Sequence, residues 1–551
     1  MAKTKNATAV EVLTLDYQLA ELPSSQHRAG LAGLVIVIRW LERQPEFREK
    51  SANSAICRVS RLTATGATIE INQVGLEALF DEIYAANLEE QDYDKPKTKG
   101  KGADKRIVPW LRIEPRERTT KSGKMAQKDV YIYLDPVPQG SLLADPQYDK
   151  TSDGKNGHWV KLWRNVVWSI LRSRDNQREP FKAKAEGREL TLTSESWKAL
   201  INPKISSVKL ASTYFIGAEN FNAENVPFKD QARFQFLLHF WLFAAQIYIP
   251  AVINNEGKRD FVGYALAIPD VSDLEGFCDE LPFVLSDRSS EKSGYRPRDA
   301  IVDLAIEGAL DLLRRLSDRL IAKIGEQATA YTVLGVDVIH TEKQGNNVRV
   351  LGVTRLDPDP PMVNEYSRIR NGYWSPLFRK QRLLNLVNHQ PWYRGFDKLL
   401  CSLPYEQSIE NDYFRRDVRE AFQHEEKTMD EPTMNDEKVN DAKINELVFQ
   451  FVRNYVGRKL ESKYQLKWSE VKDKPDRKKE YEDKKEKIAK DAFLAVRSRT
   501  EQMDFINYFA STLCSVPQYL KSEDYVSLTQ ELYKNHDRIR TLTLLALSAN
   551  S

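Results

Sequence analysis

Residues 422–437 read FQHEEKTMDEPTMNDE, and the chain changes character across them. The segment is polar, acidic and broken by Pro432, the composition of a linker. Downstream, from Met434 to Ser551, there is a single glycine, Gly457, of the chain's 24, and the only prolines are Pro475 and Pro517. Apolar residues recur there at helical spacing in 444–456, 488–496, 503–513 and 525–547, which predicts an all-helical bundle of four or five helices. Upstream the pattern is mixed. Runs rich in β-branched residues predict strands at Ile56–Thr63, Thr68–Asn72, Asp129–Leu134, Gly263–Ile268, Thr332–His340 and Asn347–Leu356. Helical spacing predicts helices over 28–43, 74–87, 157–181 (ended by Pro180), 232–249 and 300–324. The expected fold class is α+β: a mixed region with antiparallel hairpins and buried helices over 1–430, then a helical bundle over 434–551.

Composition excludes several function classes. Of the 551 residues 41% are apolar and 29% charged, enough apolar material for large cores. The net charge is only +3, so a histone-like polycation is excluded, while a nucleic-acid partner depends on where the charge sits. Cys57, Cys278, Cys401 and Cys514 are far apart, without zinc-ligand spacing and too few for a secreted disulfide scaffold. The N-terminal MAKTKNATAV lacks the apolar core of a signal peptide. The most apolar stretches, Leu31–Ile38 and Phe234–Ile253, are too short or too interrupted to span a bilayer, so no membrane role and a cytoplasmic location are expected.

The charge is concentrated in one place. From Lys95 to Lys128 there are twelve Lys and Arg against Asp104, Glu114 and Glu117, a local +9. The window contains a predicted strand at Ile107–Ile113. It therefore reads as a basic arm over 95–106 followed by a hairpin whose tip, 115–127, is also basic. Lys95, Lys97, Lys99, Lys101, Lys105, Arg106, Arg116, Arg118, Lys121, Lys124 and Lys128 are candidates for contact with a nucleic-acid backbone.

Two polar loops are candidates for base reading. In 217–231, GAENFNAENVPFKDQ, Asn220, Asn222 and Asn225 have side chains that pair bidentately with adenine. Asparagine also forms turns, and the residues alone leave both readings open. In 286–299, SDRSSEKSGYRPRD, the candidates are Arg288, Lys292, Arg296 and Arg298. In the terminal bundle, 470–490 alternates in sign, as an exposed salt-bridged helix does. Lys484, Lys485 and Lys490, with Arg497 and Arg499 on the next turns, still offer a weak grip on a single strand.

No catalytic constellation is found. The sequence contains no GxxxxGK[ST], GxSxG or HExxH, and no GxGxxG after a strand. Seven histidines stand singly. Asp357 and Asp359 in RLDPDPPM imitate a metal pair, but the flanking prolines favour a turn. No catalytic residue, metal ligand or cofactor motif is assigned.

Three blocks carry a resemblance: LPSSQHRAGLAGL (22–34), HWVKLWRNVVWSILRSRDNQREPF (158–181) and FIGAENFNAENVPFKDQARFQFLLHFWLFAAQIYIPAVINNEGKRDFVGYALAIPD (215–270). They resemble the large subunit of type I CRISPR Cascade complexes, the "Cas eight" family, in its type I-B/Myxan-like branch, over about residues 10–430. The tail from 434 is similar in character to the small Cascade subunit. The resemblance implies a non-catalytic protein that binds the protospacer-adjacent motif (PAM) as a duplex and helps part the strands. A guide RNA then reads the target, and the helical domain helps hold the displaced strand. Its implied partners are guide RNA, the other Cascade subunits, target double-stranded DNA, and a separate helicase-nuclease or transposition machinery. Some relatives bind zinc through cysteines whose spacing this chain lacks. Met429 and Met434 offer internal starts for a separately made helical subunit. The alternatives are a nuclease or other enzyme with an unrecognised site, and a protein-interaction scaffold.

Overall fold

The computed structural model describes residues 11–99, 106–119, 125–149, 157–171, 178–202, 208–209, 229–254, 258–288, 292–293, 296–324, 332–345, 347–428, 436–472, 474–515 and 521–551. The chain divides into two compact units, one within Met1–Ala251 and Phe261–Pro358, the other within Val252–Asp260 and Asp359–Ser551.

The first unit opens with an antiparallel sheet of β1 (Val12–Gln18), β2 (Cys57–Thr63) and β3 (Gly66–Asn72), ordered β1-β3-β2. Between β1 and β2 runs α1 (Ser25–Leu41), capped by Ser24, whose hydroxyl oxygen accepts from the His27 N–H. The helix is buried on almost every side, so its apolar run shows no amphipathic stripe. Two glycines set its depth. A Cβ on Gly30 would stand 2.4 Å from the Leu237 carbonyl oxygen, and one on Gly33 2.1 Å from that of Phe240. Only glycine admits backbone that close.

After α2 (Gln73–Ile83) come β4 (Ala86–Tyr93), β5 (Arg112–Thr119) and β6 (Met125–Pro138), a second antiparallel sheet ordered β4-β6-β5. A hairpin is present, but shifted from the expected bounds: the strand expected at Ile107–Ile113 begins only at Arg112, and residues 115–119 and 125–127 of the expected tip are paired strand. The helix predicted over 157–181 is not continuous: one helix covers His158–Ser169, and another starts at Arg178 with Pro180 in its first turn. A proline is tolerated there because first-turn N–H groups have no intrahelical acceptor. The helix predicted over 232–249 is also corrected. Ala232–Leu237 is helical, Trp241–Phe243 is a 3-10 turn, and β7 (Gln246–Ile253) is a strand. His239 lies in this segment among the rings of Phe80, Phe236 and Phe240, and burial holds its imidazole down to about 3.

β7 pairs antiparallel with β8 (Tyr264–Val271). Next come the helices α3 (Leu274–Ser286) and α4 (Glu307–Ile324). β8 pairs with β9 (Val333–Gln344), and β9 with β10 (Asn347–Leu356) across a turn at Gly345 with φ +59°. A polar seam fixes α1 to this sheet. Ser25 donates to Asp337, and Arg28 and Arg355 reach the two oxygens of buried Asp270 at 2.6 and 2.9 Å. The block SSQHR in 24–28 is thus a set of anchors.

The second unit is helical: α5 (Pro360–Gly372), α6 (Pro376–Val387), α7 (Asp412–Thr428), α8 (Asp436–Tyr464), α9 (Pro475–Ser498), α10 (Gln502–Ser511), α11 (Ser522–Lys534) and α12 (His536–Ala549). Helix α12 is buried along its length and packs on α7 through α11. Residues 422–428 of the expected linker belong to α7, and 429–435 lie outside the described residues. Asp359 caps α5, accepting from the Met362 N–H at 3.4 Å, while Asp357 pairs with Arg355 at 2.9 Å. The two carboxylates have separate structural duties.

Candidate nucleic-acid interface

The basic window joins the β4-β6-β5 sheet, and β4 brings acids to it. Asp92 and Arg112 both lie opposite Ile132, so β4 and β5 present charge on the same face. Arg112 donates to both oxygens of Glu90, at 2.7 and 2.6 Å, and to Glu114 at 2.6 Å. These bonds hold the Glu90 and Glu114 carboxyls below their ordinary range. Arg116 lies 3.5 Å from Asp92 and 3.2 Å from Glu114, and Lys128 3.4 Å from Asp94. Lys97 pairs with Asp135 and sits 4.0 Å from the Tyr93 ring centre and 4.7 Å from that of Tyr133. Much of the local +9 is therefore balanced by carboxylates just outside the counted window. Most of these pairs are solvent-exposed and screened, so a phosphate competes for the same cations.

Among the described residues, Lys95, Lys99 and Arg106 make no ion pair. Lys99 and Arg106 face each other in a short ribbon of Thr98–Lys99 with Arg106–Ile107. Like charges directly opposite destabilise a strand pair, and an anion between them removes the penalty. Exposed apolar side chains, Ile107, Trp110, Leu111, Ile113 and Met125, stand in the same basic window. Lys101, Lys105, Lys121 and Lys124 lie outside the described residues, and Arg118 belongs to β5 without a described side chain.

Asn220, Asn222 and Asn225 also lie outside the described residues. The stem below them is described. Val208 pairs with Asp230 and Lys209 with Lys229, which brings the two ends of the segment together. His27 Nε2 lies 2.7 Å from the Asp230 carboxylate and ties that stem to α1. The second loop is tethered differently. Arg315, on α4, pairs with Asp311 and Asp299, both at 2.8 Å, and donates to the Asp287 carbonyl. Arg288 lies 3.9 Å from the Trp159 ring centre and donates to the carbonyls of Leu285 and Tyr148; burial lowers its guanidinium to about 9. Arg296 stacks on Phe261, its guanidinium 4.5 Å from the ring centre. Lys292 is in a two-residue strand, and Arg298 opens a 3-10 turn.

In the second unit the strand-holding candidates are dispersed among internal partners. Lys484 lies 5.2 Å from the Tyr464 ring centre, Lys485 3.9 Å from Glu482 and Lys490 2.7 Å from Glu410. Arg497 donates to the Cys401 carbonyl at 2.6 Å, and Arg499 to that of Ala495 at 2.5 Å. Among the described residues no three His, Cys, Asp or Glu side chains are grouped to hold a metal, and no helix is long and apolar enough to cross a membrane. The counting of the basic window missed the acids of β4. Their signal was LEEQDYD at 88–94, directly before it.

Two family models match this arrangement. The Type I-B CRISPR Cas8b N-terminal domain matches residues 56–326, and the Type I-B CRISPR Cas8b C-terminal domain matches residues 333–550. The second match begins at β9 and runs through the helical unit. Matches of this kind, in this order and over nearly the whole chain, define the large subunit of a type I-B CRISPR Cascade complex. The chain belongs to the Cas8b family. No curated protein matches it.

Proposed function

We propose that the protein is the non-catalytic large subunit of an RNA-guided surveillance complex, binding the PAM as duplex DNA and assisting strand separation and R-loop formation. The guide RNA reads the target by pairing, so the protein's own task is to grip backbone and to discriminate a short motif. The second unit helps hold the displaced strand. The assembled complex recruits a separate helicase-nuclease or transposition machinery in the cytoplasm. Residues 434–551 form the part that resembles the small subunit, for which Met429 and Met434 offer internal starts.

The observation that carries this reading is the pair of Cas8b matches over 56–326 and 333–550. The cations Lys95, Lys99 and Arg106, which make no ion pair among the described residues, support it, because phosphate contacts supply affinity without reading sequence. The test is strand opening by the reconstituted complex, followed with a single-strand-specific probe on a guide-matched duplex. Opening is expected only with this chain present and a PAM beside the target. The chain alone, with magnesium, should leave DNA uncut. Metal-dependent cutting abolished by Asp357→Ala or Asp359→Ala would overturn the non-catalytic assignment.

A further inference from the structure

In the second unit, the C-terminal half of α8 and the middle of α9 enclose a cleft of about 520 Å³. That lies within the roughly 300–1,000 Å³ of small-molecule sites. Its walls carry Arg453, Arg458, Lys467 and Lys485 against two carboxylates, Glu461 and Glu482. Glu461 is taken by Arg458 at 3.0 Å, and Glu482 stands 3.9 Å from Lys485. Arg453 and Lys467 make no ion pair among the described residues. Burial lowers the Lys485 ammonium from its ordinary range, and Arg419, Arg415 and Arg453 push the same way, with Glu482 only partly offsetting them. A cleft with this surplus of cations is short of an anion.

The cleft also has an aromatic wall and a missing side chain. Trp468 is 46% exposed, its ring centre 5.3 Å from that of Tyr481. Gly457 is interior to α8, where glycine is unfavourable relative to alanine. Neither usual reason for a helix glycine applies. Its φ is not positive, and a Cβ there would meet no atom within 4 Å. The absent side chain leaves open space in the cleft wall instead of admitting a neighbour.

We propose that this cleft binds one nucleoside phosphate, with the phosphate against Lys485 and Arg453 and the base against Trp468 in the space left by Gly457. The phosphate belongs either to a free nucleotide or to one unit of a single strand. In the second case the inference rests on the function proposed above, and supplies it with a sequence-blind anchor for unpaired nucleic acid.

The test uses the full chain, with thymidine monophosphate followed by calorimetry and a labelled oligothymidine followed by anisotropy. The main variant is Gly457→Leu, which fills the space from a helix position where leucine is favoured over glycine. Trp468→Ala is the second. Both should weaken binding at least tenfold, Gly457→Leu with no loss of melting temperature. PAM-dependent duplex binding by the reconstituted complex should be unchanged in both, so failure here is separable from failure of the larger reading. Binding of the mononucleotide assigns a free nucleotide; binding of the oligothymidine alone assigns a strand. Either supports the proposal. Wild-type binding of neither probe, full binding by Gly457→Leu, or equal displacement of the probe by polyglutamate overturns it; the last assigns the cleft to an acidic peptide.

Discussion

Replacing Lys95, Lys99 and Arg106 together with glutamine should weaken DNA binding for all sequences alike. The three are the cations of the arm that make no ion pair among the described residues, and two of them face each other across a ribbon. If each contacts one phosphate, the log–log salt slope falls by about 2.7, at about 0.9 per contact. The deficit of the variant is then about 40-fold larger at 50 mM salt than at 200 mM, by the same relation. Anisotropy titrations of the reconstituted complex, on PAM-bearing and PAM-free duplexes over that range, measure it. Arg112→Gln with Arg116→Gln is the control. Those charges already face Glu90, Asp92 and Glu114, so each should remove less than half as much slope. An unchanged slope in the triple variant, or a loss confined to PAM-bearing DNA, would refute the reasoning.

Asn222→Ala and Asn225→Ala should each lower the preference for PAM-bearing DNA, by roughly 1–3 kcal/mol per lost base contact; full discrimination, with loss instead in Arg296→Ala or Arg298→Ala, reverses the ranking of the two loops. Gly33→Ala should destabilise the first unit by at least about 1–3 kcal/mol in urea melts, because the new methyl meets the Phe240 carbonyl and not a movable side chain. Asp417 sets a pH dependence: burial raises its carboxyl from 3.8 to about 6, although the N–H groups of Trp374 and Ser375 donate to it at 2.8 and 2.6 Å. The folded state then holds a proton that the unfolded state has released, so this contribution to stability is complete below about pH 4 and lost as pH rises through 6. Asp417→Asn removes that slope, and melts at pH 4 and 7 should show the variant gaining on the wild type at the higher pH.

Fold class was legible because it rests on composition and period. Depletion of glycine and proline marks the helices after 434, and runs rich in β-branched residues mark β6, β9 and β10. What was lost needed partners distant in sequence. The run 232–249 is apolar throughout, and a buried helix and a buried strand look alike in such a run. The backbone pressed against Gly30 and Gly33 is a tertiary fact. Helix α5 begins at Pro360, one of the prolines that favoured a turn beside Asp359, and α6 begins likewise at Pro376; proline serves in both as a first helical residue. In the basic window the cations were visible from the sequence, but the neutralisation of Arg112 and Arg116 was not, because strand pairing brings the acids of β4 alongside them. Gly457 was noticeable as a count, and only packing shows that it borders empty space.

On the function proposed above, this chain gives the complex its PAM-dependent grip on duplex DNA. That role is tested most directly by measuring, at one fixed salt concentration, the affinity of the complex assembled with and without this chain for two duplexes that differ only in the PAM. With the chain, the PAM-bearing duplex should bind tighter; without it, the two should bind equally weakly. An equal preference for the PAM-bearing duplex in the complex lacking the chain would contradict the account.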